Sequence, residues 1–269
     1  MRPLRSHVSV MHLAVYLVAL IVGRMDDNGL AFFWPAAGVA ALWMLRGRTR
    51  SQVVLDGTLL VAGTTVLDLV LGIDPVASVL FAAANLVVGV TVRLTSALLE
   101  KKSFWGRVPR RVATPRDLVG VGLASLAAAL TSAVPGLLAV RVESGSVNWG
   151  TAAAWVVRND CSTFVVVASV LAMLTTLFRA HAKHGWRATL TPEPRRFWAV
   201  ELVWVVAISL GTAVFLFDSE EALPIAFILL VASTWIGYRF SPAVGGIYTT
   251  VFATLALLYT EQGLGPFSP

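Results

Sequence analysis

AFFWPAAGVAALWMLRGRTR, from Ala31 to Arg50, joins an aromatic entry, a proline, three small residues, a short apolar run and a basic exit within one stretch. Trp34 and Pro35 read as the start of a helix. A first-turn N–H has no intrahelical acceptor, so proline loses nothing by lacking one. Ala36, Ala37 and Gly38 carry almost no side chain, which lets another helix or a ligand come close to the backbone. Only Pro35 to Leu45 then precede Arg46, Arg48 and Arg50. At roughly 1.5 Å per residue this is about half of a ~30 Å hydrocarbon layer. Gly29 to Trp34 must supply the remaining depth, and non-helical backbone there persists only against protein or a water-filled cavity. The plainer alternative is an ordinary short membrane helix with a proline near its start.

The rest of the chain has the same character. Of 269 residues, 57% are hydrophobic and 13% charged, and the mean hydropathy is +0.77. A soluble domain carries about 25% charged residues, so the composition specifies an all-α, polytopic transmembrane bundle. The net charge of +6 does not indicate nucleic acid, because the basic residues sit in short loops between apolar runs, where a bilayer places them. The single cysteine, Cys161, excludes an intrachain disulfide and a cysteine metal cage. MRPLRSH ahead of Val8 to Gly23 resembles a signal peptide but lacks a small-residue cleavage site, and is read as a retained first helix.

Apolar runs recur at Val8 to Gly23, Gly29 to Leu45, Val53 to Leu71, Pro75 to Leu99, Leu118 to Val140, Thr151 to Phe178, Phe197 to Phe217, Leu223 to Gly237 and Ala243 to Tyr259, giving about nine helices, between eight and ten. Arg2 and Arg5, Arg46 to Arg50, Lys101 to Arg116, Arg179 to Arg196 and Arg239 alternate with loops bearing Asp26 and Asp27, Asp74, Glu143, and Asp218 to Glu221. The positive-inside rule then sets the N-terminus in the cytoplasm and the tail outside. Pro109, Pro115, Pro192 and Pro194 argue against long helices in the two longest basic connections, neither of which could house a soluble domain.

Ionisable residues at membrane depth cost at least ~2.5 kcal/mol near the centre, so they are candidates for function. Arg93, Glu201 and Asp56 lie near basic helix ends, where snorkelling is the cheaper reading. Trp155, Arg158, Asn159 and Asp160 lie roughly 10 to 15 Å down the sixth run by helical rise. Arg158 and Asp160 are two apart and point to different sides, so each needs a partner on another helix. The expected arrangement pairs Arg158 with Asp68, while Asp160 and Asn85 reach a polar cavity under the Trp34-Pro35 turn. Trp34, Pro35, Gly38, Asn85, Trp155 and Asp160 thus form a candidate ligand site, beside an intramembrane network of Asp68, Arg158 and Asn159. The alternatives are a network that only fixes helix register, and indoles that simply pack between helices. Trp105, Trp149, Trp186 and Trp198 suit an interfacial belt.

No HExxH, GxSxG, Walker loop, GGDEF or kinase motif occurs, and His7, His12, His181 and His184 assemble no metal site. The chain is therefore not expected to be an enzyme, and no cofactor is identified.

With WPAAG, the asparagine-bearing fourth run ending in Arg93, Trp155 to Asp160, Glu201, Trp235 with Tyr238-Arg239-Phe240, and Gly263 to Phe267 in hand, the chain resembles the first family of membrane-associated sensor (MASE-type) domains. The similarity runs through nearly its whole length, in the order of short motifs. It implies an integral-membrane sensory input domain of a bacterial signalling protein. Such a domain binds a ligand or senses membrane state, and regulates a cytoplasmic output: a cyclic-di-GMP enzyme, a histidine kinase or a phosphatase. Family members generally continue into a further helix that carries the output domain, so residues 1–269 would be one sensor domain with that helix and the output absent. The expected setting is a bacterial cytoplasmic membrane. Expected partners are the lipid bilayer and the output domain or a partner signalling protein, with a small-molecule ligand and a homodimer left open and nucleic acid excluded. The alternatives are a small-molecule transporter using the midplane charges and a membrane anchor without a ligand.

Overall fold

The computed structural model describes residues 4–23, 34–106, 112, 114–190, 198–218, 231–233, 235–237, 239–240 and 242–261. All its regular structure is helical: α1 (Leu4–Gly23), α2 (Pro35–Arg46), α3 (Arg50–Val70), α4 (Pro75–Leu99), α5 (Pro115–Ser144), α6 (Trp149–Leu190), α7 (Trp198–Asp218) and α8 (Pro242–Glu261), with helical backbone also within 231–240. Asp26 and Asp27, Gly29 to Phe33, Pro109, Pro192, Pro194, Glu220 and Glu221, Leu223 to Leu230, Tyr238 and Gly263 to Phe267 lie outside the described residues.

Local chemistry sets the helix starts. Thr49 accepts from the Gln52 N–H at α3, and the Asp74 carboxylate accepts from the Val76 and Ala77 N–H groups ahead of Pro75 at α4. At α5, Thr114 and Asp117 form a reciprocal capping box with Pro115 in the first turn. Such caps contribute about 1 kcal/mol each. Pro115 therefore opens a helix rather than breaking one. α5 and α6 outrun their apolar runs the furthest. α5 takes in the polar ends PRD and RVES and tolerates Pro135 in its interior, and α6 continues for 42 residues to Leu190, through sequence expected to be loop. Residues 179–190 are rich in helix formers, and proline first appears at Pro192.

Two compact units divide the chain after Ala168. In the first, α4 packs on α5, α2 and α3, and α1 packs on α2 and α3. The short α2 is the centre, with eight of its twelve residues buried. Glycines let its neighbours approach. A Cβ at Gly38 would lie 2.4 Å from Val166 Cβ and 3.0 Å from the Ser162 carbonyl oxygen of α6, and one at Gly89 of α4 would lie 2.5 Å from Met44 Cγ and 3.1 Å from the Ala40 carbonyl oxygen. Gly38 thus admits a helix. Gly38→Ala is expected to cost about 2 kcal/mol by overpacking. Val166→Ala should return little of it, because it removes only the Cγ contact at 2.8 Å while the Cβ at position 166 and the Ser162 carbonyl both stay; melting of the single and double variants in detergent checks this.

In the second unit, Ala232, Ile236, Phe240 and Tyr248 make a core cluster. The Tyr248 hydroxyl donates to Ser209 Oγ at 2.7 Å. Glu201, expected to snorkel, accepts from Trp235 Nε1 at 3.1 Å and pairs with Arg239 Nε at 3.0 Å.

The distribution of polarity is that of a membrane protein. Val10, Val15 and Val18 of α1 and Leu123, Leu130, Val134 and Leu138 of α5 face outward, while Asp56, Asp68, Asn85, Arg93, Arg158 and Asn159 are buried. Water would penalise that apolar exterior and lipid does not. Among the described residues, four helices are long and apolar enough to cross a membrane: Arg50–Val70, Pro75–Leu99, Pro115–Ser144 and Trp149–Thr175.

Candidate functional site

Trp155, Arg158, Asn159, Ser162 and Val166 recur on α6 at spacings of three and four, which places them on one helix face. That face meets the start of α2. Because Trp34 precedes the first turn of α2, its backbone N–H needs an acceptor from elsewhere. Ser162 Oγ provides it at 2.8 Å. The Trp34 indole N–H donates to Asn85 Oδ1 of α4 at 3.1 Å, so one residue ties α2 to both α6 and α4.

Arg158 lies against this tie. Its guanidinium carbon is 5.4 Å from the Trp34 ring centroid and 4.6 Å from that of Trp155, and the residue is 7% exposed. A cation over an indole away from water gains about 2 kcal/mol. The indoles expected to wall a pocket thus cover a cation of the protein itself. Trp155 in turn stacks on Phe81 of α4 at 6.2 Å and 12° between planes, in a cluster with Ala77, Ala84 and Ala139. The Trp155 Nε1–H and the Thr163 hydroxyl, both buried, have no hydrogen-bond partner among the described residues. Buried polar groups are nearly always satisfied, so each calls for a partner beyond the described residues.

The structure brings Trp34, Asn85, Trp155 and Arg158 together, with Pro35 in the first turn of α2 and Gly38 one turn on against α6. Asp160 goes elsewhere: Ser125 Oγ of α5 donates to its Oδ1 at 2.6 Å. An offset of two residues from Arg158 turns it toward α5 and away from the Trp34 turn, where the sequence reading had it join Asn85. Asn159 donates through Nδ2 to the Trp155 carbonyl, one turn back, at 2.9 Å. Asp68 is fully buried on α3.

Two polar residues expected to snorkel are held inside. Asp56 accepts from Ser9 Oγ of α1 at 3.0 Å. Arg93 is fully buried. Its Nε donates to the Phe104 carbonyl at 2.8 Å, and Nη1 and Nη2 donate to the Met44 and Gly106 carbonyls at 2.7 Å each. Reading the sequence passed over Ser162, Ser125, Phe81 and Thr163; for Ser162, the four-residue step from Arg158 was the available signal. Compared with known proteins, the chain matches no family model, no curated protein and no solved structure.

Proposed function

We propose that this protein is the membrane-embedded sensory input domain of a bacterial signalling protein, of the MASE type its motifs resemble, seated in the cytoplasmic membrane with its N-terminus inside. The supporting observation is the buried cluster in which Arg158 lies over Trp34 and Trp155 while the Trp155 Nε1–H lacks a partner among the described residues. A small ligand with a hydrogen-bond acceptor would satisfy this group and loosen or tighten the Trp34 tie between α2, α4 and α6. Two packings of the bundle with different affinity for that ligand constitute a switch. The cytoplasmic output, a cyclic-di-GMP enzyme, a histidine kinase or a phosphatase, would read the shift.

Mass spectrometry of small molecules released from protein purified out of its native membrane tests this reading. The expected result is a compound retained by the parent protein and reduced at least about tenfold in Trp155→Phe, which removes one hydrogen bond to a buried partner. Equal retention by both proteins, or none by either, overturns the site. The second reading, a transporter, draws on α2 as a short buried helix opened by Pro35. Solute flux in proteoliposomes would favour it, since a sensor binds without moving its ligand.

A further inference from the structure

Between α3 and α4, at the end where Arg50 opens one helix and Leu99 closes the other, lies a groove of about 560 Å³. Met44 of α2, Gly57 of α3, and Leu86 and Val90 of α4 line it, and Phe104 and Trp105 form a wall. The volume lies within the ~300–1,000 Å³ of small-molecule sites. Its lining is apolar apart from Thr58. Gly57 keeps the trough open, since a Cβ there would already stand 3.3 Å from Leu86 Cδ1.

The wall is built. Arg93 holds the Phe104 and Gly106 carbonyls, and its guanidinium carbon is 5.4 Å from the Phe104 ring centroid. Trp105 sits edge-on to Phe104 at 4.8 Å. The mouth has the opposite chemistry. The Arg50 guanidinium carbon lies 5.3 Å above the Trp105 ring, and Arg48, Arg50, Lys101 and Lys102 are all exposed near these helix ends, with Glu100 next to the lysines in sequence. An exposed indole with basic side chains at the end of membrane helices marks the headgroup level.

An apolar trough below a cationic, indole-bearing mouth matches the two halves of one molecule. We propose that the groove binds an acyl chain of an anionic phospholipid, whose phosphate lies against Arg50 with the neighbouring basic side chains. The trough takes the tail, and the excess of positive charge selects an anionic headgroup over a zwitterionic one. This lipid binds whether or not a ligand enters the Trp34–Asn85 cluster.

Native mass spectrometry of the detergent-purified full chain, titrated with phosphatidylglycerol or phosphatidylcholine of the same acyl length, provides the test. One phosphatidylglycerol is expected to be retained at a concentration at least about tenfold lower than phosphatidylcholine, as two or three nearby cations would give. Arg50→Glu should remove most of that preference. Val54→Trp, at an exposed position of the lining, should abolish retention of both lipids without lowering the melting temperature; Ala62→Phe serves the same end if tryptophan disturbs α3. Equal retention of the two lipids by the parent chain, or tight phosphatidylglycerol retention by a folded groove-filling variant, overturns the proposal.

Discussion

Gly136→Ala is expected to lower the melting temperature of the purified protein by on the order of 10 °C. A Cβ at position 136 would lie 1.9 Å from Trp155 Cζ2, 2.4 Å from Cε2 and 2.5 Å from Cη2, far inside contact distance. The ring has nowhere to yield, because Phe81 stacks on it and Ala77, Ala84 and Ala139 close the cluster around it. Either α5 moves off or the indole turns and abandons Arg158. Overpacking of this kind costs about 3 kcal/mol, and a chain of this size loses about 2–4 °C for each. Trp155→Leu removes the obstructing ring, so the double variant should be more stable than the two separate losses predict. An unchanged melting temperature in Gly136→Ala would mean that α5 and α6 do not approach as closely as described.

Arg93→Met carries a comparable expected loss by a different route. The three carbonyls that Arg93 satisfies come from the last turn of α2 and from the turn after α4. Met44 contributes one of the final carbonyls of α2, which no residue of that helix can satisfy, at the end where the helix dipole favours a cation. Hydrogen bonds to a charged group are worth about 1.5–3 kcal/mol each. Against this stands the cost of burying a guanidinium, so a net loss of about 3–5 kcal/mol follows from breaking the arrangement on one side only. Arg93→Lys keeps the charge but not the fork of donors and should recover less than half. Trypsin provides an independent readout: cleavage after Lys101 and Lys102 should accelerate at least about tenfold as the 103–106 turn is released, following the population of the opened form. Equal melting and equal cleavage would remove Arg93 from the list of structural anchors.

Much of the bundle was legible from residue types alone. Pro75 to Leu99 is α4 to the residue, and Val53 to Leu71 lies within three residues of α3 at each end, since apolar length and flanking caps both act locally. The ends of α5 and α6 were not, because hydropathy falls where a helix leaves lipid while the backbone goes on coiling. The meeting of Trp34, Asn85, Trp155 and Arg158 was foreseeable in outline, as polar groups at depth must converge. Which of them share a face depends on helix rotation. A rotation that brings Arg158 to the indoles sends Asp160 to Ser125, and small residues such as Gly136 and Ser162 leave no hydropathy mark at the points where that rotation is set. Arg93 misled for a related reason: its depth was readable, but the carbonyls that turn inward to receive it belong to distant segments.

The central position of α2 also bears on how the protein is made. Its backbone anchor, Ser162, follows Trp34 by 128 residues, and the Asn85 amide by 51. At ~5–20 residues per second of synthesis, the α6 face arrives on the order of ten seconds after α2 leaves the ribosome. At roughly 18 Å, its twelve helical residues are too short to span the bilayer unaided. During that interval α2 must be kept at depth by α1 and α3, or by the insertion machinery, with its Gly38 surface uncovered. Biogenesis of this protein therefore turns on retaining an unfinished helix, and substitutions in α1 that leave the finished bundle intact would show their effect in yield.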